Sequence, residues 1–106
     1  MSASSRKRLK FSKRAVRDHV RVLDYIAAEN LLNAALVQGR IENTLTHIAR
    51  FPDIGHKGRE PGTREFVVPK TSHTIVYRVT ASWVIVGQFV HQAQDCNGML
   101  LRRQRT

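Results

Sequence analysis

The sequence predicts a two-layer α+β domain, in which an N-terminal strand and a helical hairpin pack on a mainly antiparallel sheet. Three observations lead there. Apolar residues recur at spacings of three and four through two consecutive stretches between Ser12 and Phe51. From Glu65 onward the chain turns to short runs of strand character, mostly alternating with period two. The connections between these runs are short, so the later strands pair antiparallel and the hairpin must cover one sheet face.

Each element has its own justification. Leu9 and Phe11 alternate with Lys10 and Ser12, a short strand with one apolar face. Residues 1–8 before it are Ser-rich and then basic, and are expected to form a disordered extension that buries nothing. Ser12 is a candidate N-cap. Val16, Val20, Leu23 and Ile26 follow at spacings of four, three and three, a helical stripe widened by Val22 and Ala27. Asn30 and Asn33 break that pattern and offer the next N-cap. Ala34, Val37, Ile41, Leu45 and Ile48 then form the most regular helical stripe in the chain. It stops at Phe51-Pro52, because a residue before proline is pushed out of the α region. So short a link makes the two helices an antiparallel hairpin.

Gly55, Gly58, Pro61 and Gly62 mark a loop over about 53–63. Phe66 and Val68 alternate with Glu65 and Val67 until Pro69, and Ile75, Tyr77 and Val79 alternate with Val76 and Arg78. Ala81-Ser82 reads as a tight turn. Trp83 to Val90 is almost wholly apolar, which predicts a central strand covered on both faces. Gly87 inside it signals a bulge or a close backbone approach. Asn97-Gly98 turns the chain into a basic tail, 99–106, so the folded domain is expected over 9–98.

The 106 residues suit one domain, and 42% apolar with 25% charged content is ordinary for a soluble globular protein. No apolar run is long enough to span a membrane, and no apolar segment follows the basic N-terminus as in a secretory signal. Cys96 is the single cysteine, which excludes an internal disulfide and fits a reducing compartment; the expected location is the cytoplasm. The net charge of +10 sits mostly on the ends, because residues 15–101 carry nine bases against eight acids. Basic ends suit a polyanion, an acidic partner or plain solvation alike.

Candidate site residues follow from chemistry. Chemistry on a phosphate needs cations to hold it and a general acid or base beside them. Arg64 and Arg78 lie on neighbouring predicted strands and converge if the register brings them to one face, with Arg59 able to join from the loop. Alternatively Arg64 pairs with Glu65 or Glu60. Tyr77 shares a face with Ile75 and Val79 and is expected in the core. Arg17 and Arg21 form a like-charge i,i+4 pair, which points to an acidic partner or to a solvated face. His91 follows the last strand. His19, His47, His56 and His73 form no metal-ligand spacing with each other or with Cys96, and no Gly-rich loop opens a helix, so neither metal nor cofactor is expected.

Four stretches carry a family resemblance. They are Leu23-Asp24-Tyr25-Ile26-Ala27-Ala28-Glu29-Asn30, Ile48-Ala49-Arg50-Phe51-Pro52-Asp53-Ile54-Gly55, Pro61-Gly62-Thr63-Arg64-Glu65-Phe66-Val67-Val68, and Ile75-Val76-Tyr77-Arg78-Val79. With Val90-His91 they resemble, in order and spacing, the RelE/ParE toxins of type II toxin–antitoxin systems, over about residues 9–95 and closer to the ParE branch. The resemblance implies a toxin neutralised by a cognate acidic, ParD-like antitoxin in a hetero-oligomer, with DNA gyrase as target and no enzymatic activity. The RelE branch would instead imply ribosome-dependent mRNA cleavage using Arg64, Arg78 and His91. An inactive relative that keeps only antitoxin binding is the third reading. In either active case Arg59, Arg64, Tyr77, Arg78, His91, Arg17 and Arg21 are the expected contact residues. Gln92 and Gln94 stand where the ParE branch commonly has arginines, and they supply no positive charge.

Overall fold

The computed structural model describes residues 6–91. In chain order these form β1 (Arg8–Phe11), α1 (Lys13–Glu29), α2 (Leu31–Arg50), a 3-10 turn (Pro52–Ile54), β2 (His56–Lys57), β3 (Arg64–Val67), β4 (His73–Val79) and β5 (Trp83–His91). The strands make one five-stranded sheet in the order β1-β5-β4-β3-β2. β1 pairs parallel with β5 and the other pairs are antiparallel. Both helices pack on one face, so the expected two-layer α+β architecture is present.

The helix boundaries follow from side-chain caps. Ser12 Oγ accepts the Ala15 N–H at 3.0 Å and donates to the Gly87 carbonyl at 2.8 Å. The cap therefore starts α1 and pins its first turn to β5. Asn30 serves both helices. Its N–H donates to the Ile26 carbonyl at 2.8 Å, closing α1, and its Oδ1 accepts the Asn33 N–H at 2.9 Å, opening α2. The hinge of the hairpin is thus a single residue.

All five residues of the α2 stripe, Ala34, Val37, Ile41, Leu45 and Ile48, are buried. Val37, Ile41, Leu45 and Ile48 form one core cluster with Val84, Val86 and Phe89 of β5, Ile75 and Tyr77 of β4, and Val68. Full burial of each large aliphatic side chain contributes about 1.5–3 kcal/mol.

The α1 stripe is different from the expected one. Val16 and Val20 are 51% and 54% exposed, whereas Ala15 is completely buried. The buried face runs through Ala15, His19, Leu23 and Ile26, with the His19 ring 5.2 Å from that of Phe89. The reason is local. The Ser12 cap fixes the rotation of α1, and a small alanine lets the helix approach the sheet where a valine would hold it off.

Three further expectations need correction. The segment read as a loop over 53–63 contains the 3-10 turn and β2, whose pairs His56↔Glu65 and Lys57↔Arg64 are too few to show a period. Helices cover β5 on one face only. Val84, Val86 and Phe89 are buried, while Trp83, Ile85, Gln88 and Val90 of the other face are partly exposed. The extension reaches less far than residue 8. The Lys7 N–H donates to the Ala49 carbonyl at 2.9 Å, and the Arg8 N–H to that of Ser82 at 3.1 Å. The predicted turn at Asn97-Gly98, the tail 99–106, Cys96, Gln92 and Gln94 lie outside the described residues.

Gly87 does mark a bulge. The pairing passes from Val76↔Gln88 to Tyr77↔Val86, leaving Gly87 without a partner, so the buried side of β5 changes from even to odd positions.

Candidate functional site

The register sorts the expected site residues between two sheet faces. Arg64 lies opposite Tyr77 and shares the helix-covered face with it. Arg78, next in sequence to Tyr77, points to the open face. The two arginines therefore do not converge.

Arg64 is occupied by the 52–55 turn. Its Nη1 donates to the Gly55 carbonyl at 2.7 Å and the Asp53 carbonyl at 3.3 Å, and its Nη2 is 3.5 Å from Asp53 Oδ1. The acid it meets is Asp53, not Glu65 or Glu60. Tyr77 grips the same turn from below. Its hydroxyl donates to the Pro52 carbonyl at 2.7 Å and accepts the buried Gly55 N–H at 3.0 Å. Burial raises the pKa of the Tyr77 phenol above its ordinary value; the Gly55 hydrogen bond acts in the opposite direction but is outweighed.

Arg78 Nη1 donates to the Pro61 carbonyl at 2.9 Å. It thereby braces a turn in which the Thr63 N–H meets the Glu60 carbonyl at 3.1 Å and Gly62 has a φ of 80°. Proline second and a positive-φ glycine third suit a type II turn.

His91 lies opposite His73 on the helix-covered face, with ring centroids 4.9 Å apart. Along β4, His73 is four residues from Tyr77, about 13 Å. His91 is thus remote from Arg64 and on the opposite face from Arg78. His73 is 7% exposed, and its buried Nδ1 has no hydrogen-bond partner among the described residues. Burial lowers the His73 pKa, and the neighbouring His91 lowers it further.

Arg59 lines a groove of about 740 Å³ between α1 and the β2–β3 connection. Its backbone N–H donates to the Glu65 carboxylate at 3.2 Å. Val67, Thr74, Val76 and Gln88 line the same groove. Asp18 on its α1 side is already engaged, accepting the Phe89 N–H at 3.2 Å with Arg14 Nε 3.9 Å away. Arg17 and Arg21 are exposed on α1, where with Val16, Val20, Asp24 and Tyr25 they line a second, shallow groove of about 630 Å³. No group of three metal-ligating side chains occurs among the described residues.

Two features escaped sequence reasoning. One is the exposed apolar surface of the hairpin: Val16, Val20 and Tyr25 on α1, and Leu31, Leu32 and Leu36 on α2. The other is a set of cations on the open sheet face around Trp83, Arg8 and Lys10 among them. The run Leu31-Leu32 at a helix start was a readable signal for the first; only the strand register reveals the second.

A family model described as the ParE toxin of the type II toxin–antitoxin system parDE matches residues 9–96. The chain belongs to the ParE toxin family. Within sequence space this ParE-family chain is 34% identical over 76 residues to "Putative toxin Y4kP" of Sinorhizobium fredii (strain NBRC 101917 / NGR234), covering 72% of this chain and 79% of that one. Its fold is similar to that of a chain from the chromosomal ParDE system of P. aeruginosa, with a TM-score of 0.73 at 14% identity over 82% of this chain and 97% of that one. YafQ of E. coli is a looser match, with a TM-score of 0.46 at 19% identity over 83% of this chain and 96% of that one. The ParE-family toxin thus has the two-layer α+β fold expected from its sequence, with β2 as a fifth strand that the sequence did not predict.

Proposed function

We propose that this ParE-family toxin arrests growth by binding and poisoning DNA gyrase, and that a cognate acidic antitoxin neutralises it. One observation carries the choice of a binding mechanism over nuclease chemistry. Arg64, Arg78 and His91 are spread over two sheet faces and along β4, and Arg64 is held by the 52–55 turn. A phosphate at any one of them lies out of reach of the other two, so they offer no joint cation and proton-transfer set.

The antitoxin's place is the helical hairpin. Val16, Val20 and Tyr25 line one exposed groove on α1, and Leu32 and Leu36 are exposed on α2; large apolar side chains left in water in such number on one hairpin suit a protein contact. Arg17 and Arg21 on its margin suit an acidic amphipathic helix laid across it.

The test is induction of this protein alone in bacteria while DNA integrity and protein synthesis are followed separately. Arrest with a DNA-damage response and continuing translation is expected, and purified protein should then inhibit gyrase supercoiling. Immediate loss of translation with cut mRNA would overturn the gyrase reading in favour of ribosome-dependent cleavage. A folded product that causes no arrest would leave an antitoxin-binding relative without toxicity.

A further inference from the structure

The open sheet face carries a cluster of like charge that no carboxylate pairs with among the described residues. Lys10 lies opposite Ile85, and Ile85 lies opposite Arg78, so a basic–apolar–basic row crosses β1, β5 and β4. Arg8 lies opposite Trp83, two residues along the same face. Lys10 Nζ is 5.0 Å and Arg8 Cζ 5.7 Å from the centroid of the Trp83 ring. Lys7 adds a further cation at this end, its Nζ donating to the Ala81 carbonyl at 2.7 Å. Among the described residues no carboxylate pairs with Arg8, Lys10 or Arg78.

Like charges gathered on one sheet face oppose folding, and cation–π contacts at an exposed site return only about 0.5–1 kcal/mol each. The core needs none of these cations, because it lies on the other side of the sheet. Their arrangement is that of a binding surface held ready for negative charge.

We infer that this end of the open face binds single-stranded nucleic acid, with Arg8, Lys10 and Arg78 on phosphates and Trp83 against a base. Cations around an aromatic platform on an otherwise flat sheet suit that ligand. An acidic polypeptide is the weaker fit. The exposed apolar side chains that an amphipathic helix needs are on the hairpin, whereas Trp83 and Ile85 here are partly covered. The inference is independent of the gyrase reading, since it concerns the isolated protein and a bare strand.

Trp83 is the sole tryptophan, so its fluorescence reports the site directly. The experiment titrates full-length protein with a 20-nucleotide oligothymidylate. It records Trp83 emission and the anisotropy of a labelled strand between about 50 and 200 mM salt, the range over which phosphate contacts are screened. Expected are binding with a change in Trp83 emission, at least tenfold weaker binding by K10A/R78A, and a salt slope shallower by about 1.4, at about 0.7 per lost phosphate contact. Lys10→Ala alone, which leaves the Arg78–Pro61 bond intact, should give an intermediate loss with an unchanged melting temperature. Arg40→Ala on α2 should leave binding unchanged. The inference is overturned if K10A/R78A binds like the parent, which would assign binding to the basic ends. It is equally overturned if binding leaves Trp83 emission unchanged, or if poly-glutamate competes as well as the oligonucleotide.

Discussion

Tyr77 is 1% exposed, and its hydroxyl joins two backbone groups of the 52–55 turn, the Pro52 carbonyl at 2.7 Å and the Gly55 N–H at 3.0 Å. Tyr77→Phe removes one oxygen and nothing else. Losing the bond to the partly exposed Pro52 costs about 0.5–1.5 kcal/mol, because water can take its place there. Losing the bond to Gly55 strands a buried N–H and costs about 1–3 kcal/mol. The sum is about 1.5–4.5 kcal/mol, or roughly 6–20 °C in melting temperature for a domain of this size. Urea unfolding read by Trp83 emission measures it, with an unchanged m-value expected because the core outline is preserved. A loss below about 0.5 kcal/mol would refute the reasoning, since the turn would then be held without the phenol.

Three further outcomes follow from the same geometry. Gly55→Ala should destabilise by at least as much as Tyr77→Phe, because an added Cβ would stand 2.4 Å from the Tyr77 hydroxyl and 3.0 Å from the Glu65 carbonyl; thermal unfolding checks it. Acidification should cost stability through His73. Its folded pKa is below 6.5, so its contribution is complete above pH 6.5 and falls away as pH drops through the folded value; His73→Gln should flatten melting temperature against pH in that window. Deleting residues 1–8 should cost about 1–3 kcal/mol in urea unfolding, because the Lys7 bond to Ala49, the Arg8 bond to Ser82 and part of β1 go with them.

The fold was legible where periodicity and caps act locally. The α2 stripe, the Ser12 and Asn30 caps, the stop at Phe51-Pro52 and the bulge at Gly87 all follow from spacing and backbone chemistry. Expectations failed where a neighbour decides. The rotation of α1 depends on the Ser12 hydroxyl reaching Gly87, so Ala15 rather than Val16 faces the sheet. The two-residue β2 exists because Glu65 and Arg64 lie beside it. Of the site, identities were readable but proximity was not. Whether Arg64 and Arg78 share a face is decided by the β3–β4 register, and the cations of β1 share a face with Arg78, across Ile85, through the register of β1 on β5.

That parallel entry and the rotation of α1 together set how the two proposed surfaces relate. By turning Ala15 inward, the Ser12 cap turns Val16 and Val20 outward beside Arg17 and Arg21. The proposed docking surface therefore lies on the side of the helices away from the sheet. Lys10, Ile85, Arg78 and Trp83 lie on the sheet face that the helices do not cover. A helix laid along the hairpin need not touch the basic row, so the two sites are separable by mutation. If the basic row takes part in toxicity, an antitoxin confined to the hairpin leaves it accessible, and neutralisation must then act by blocking the target protein. An antitoxin that also covers the row would abolish oligothymidylate binding, and the same Trp83 signal would report it.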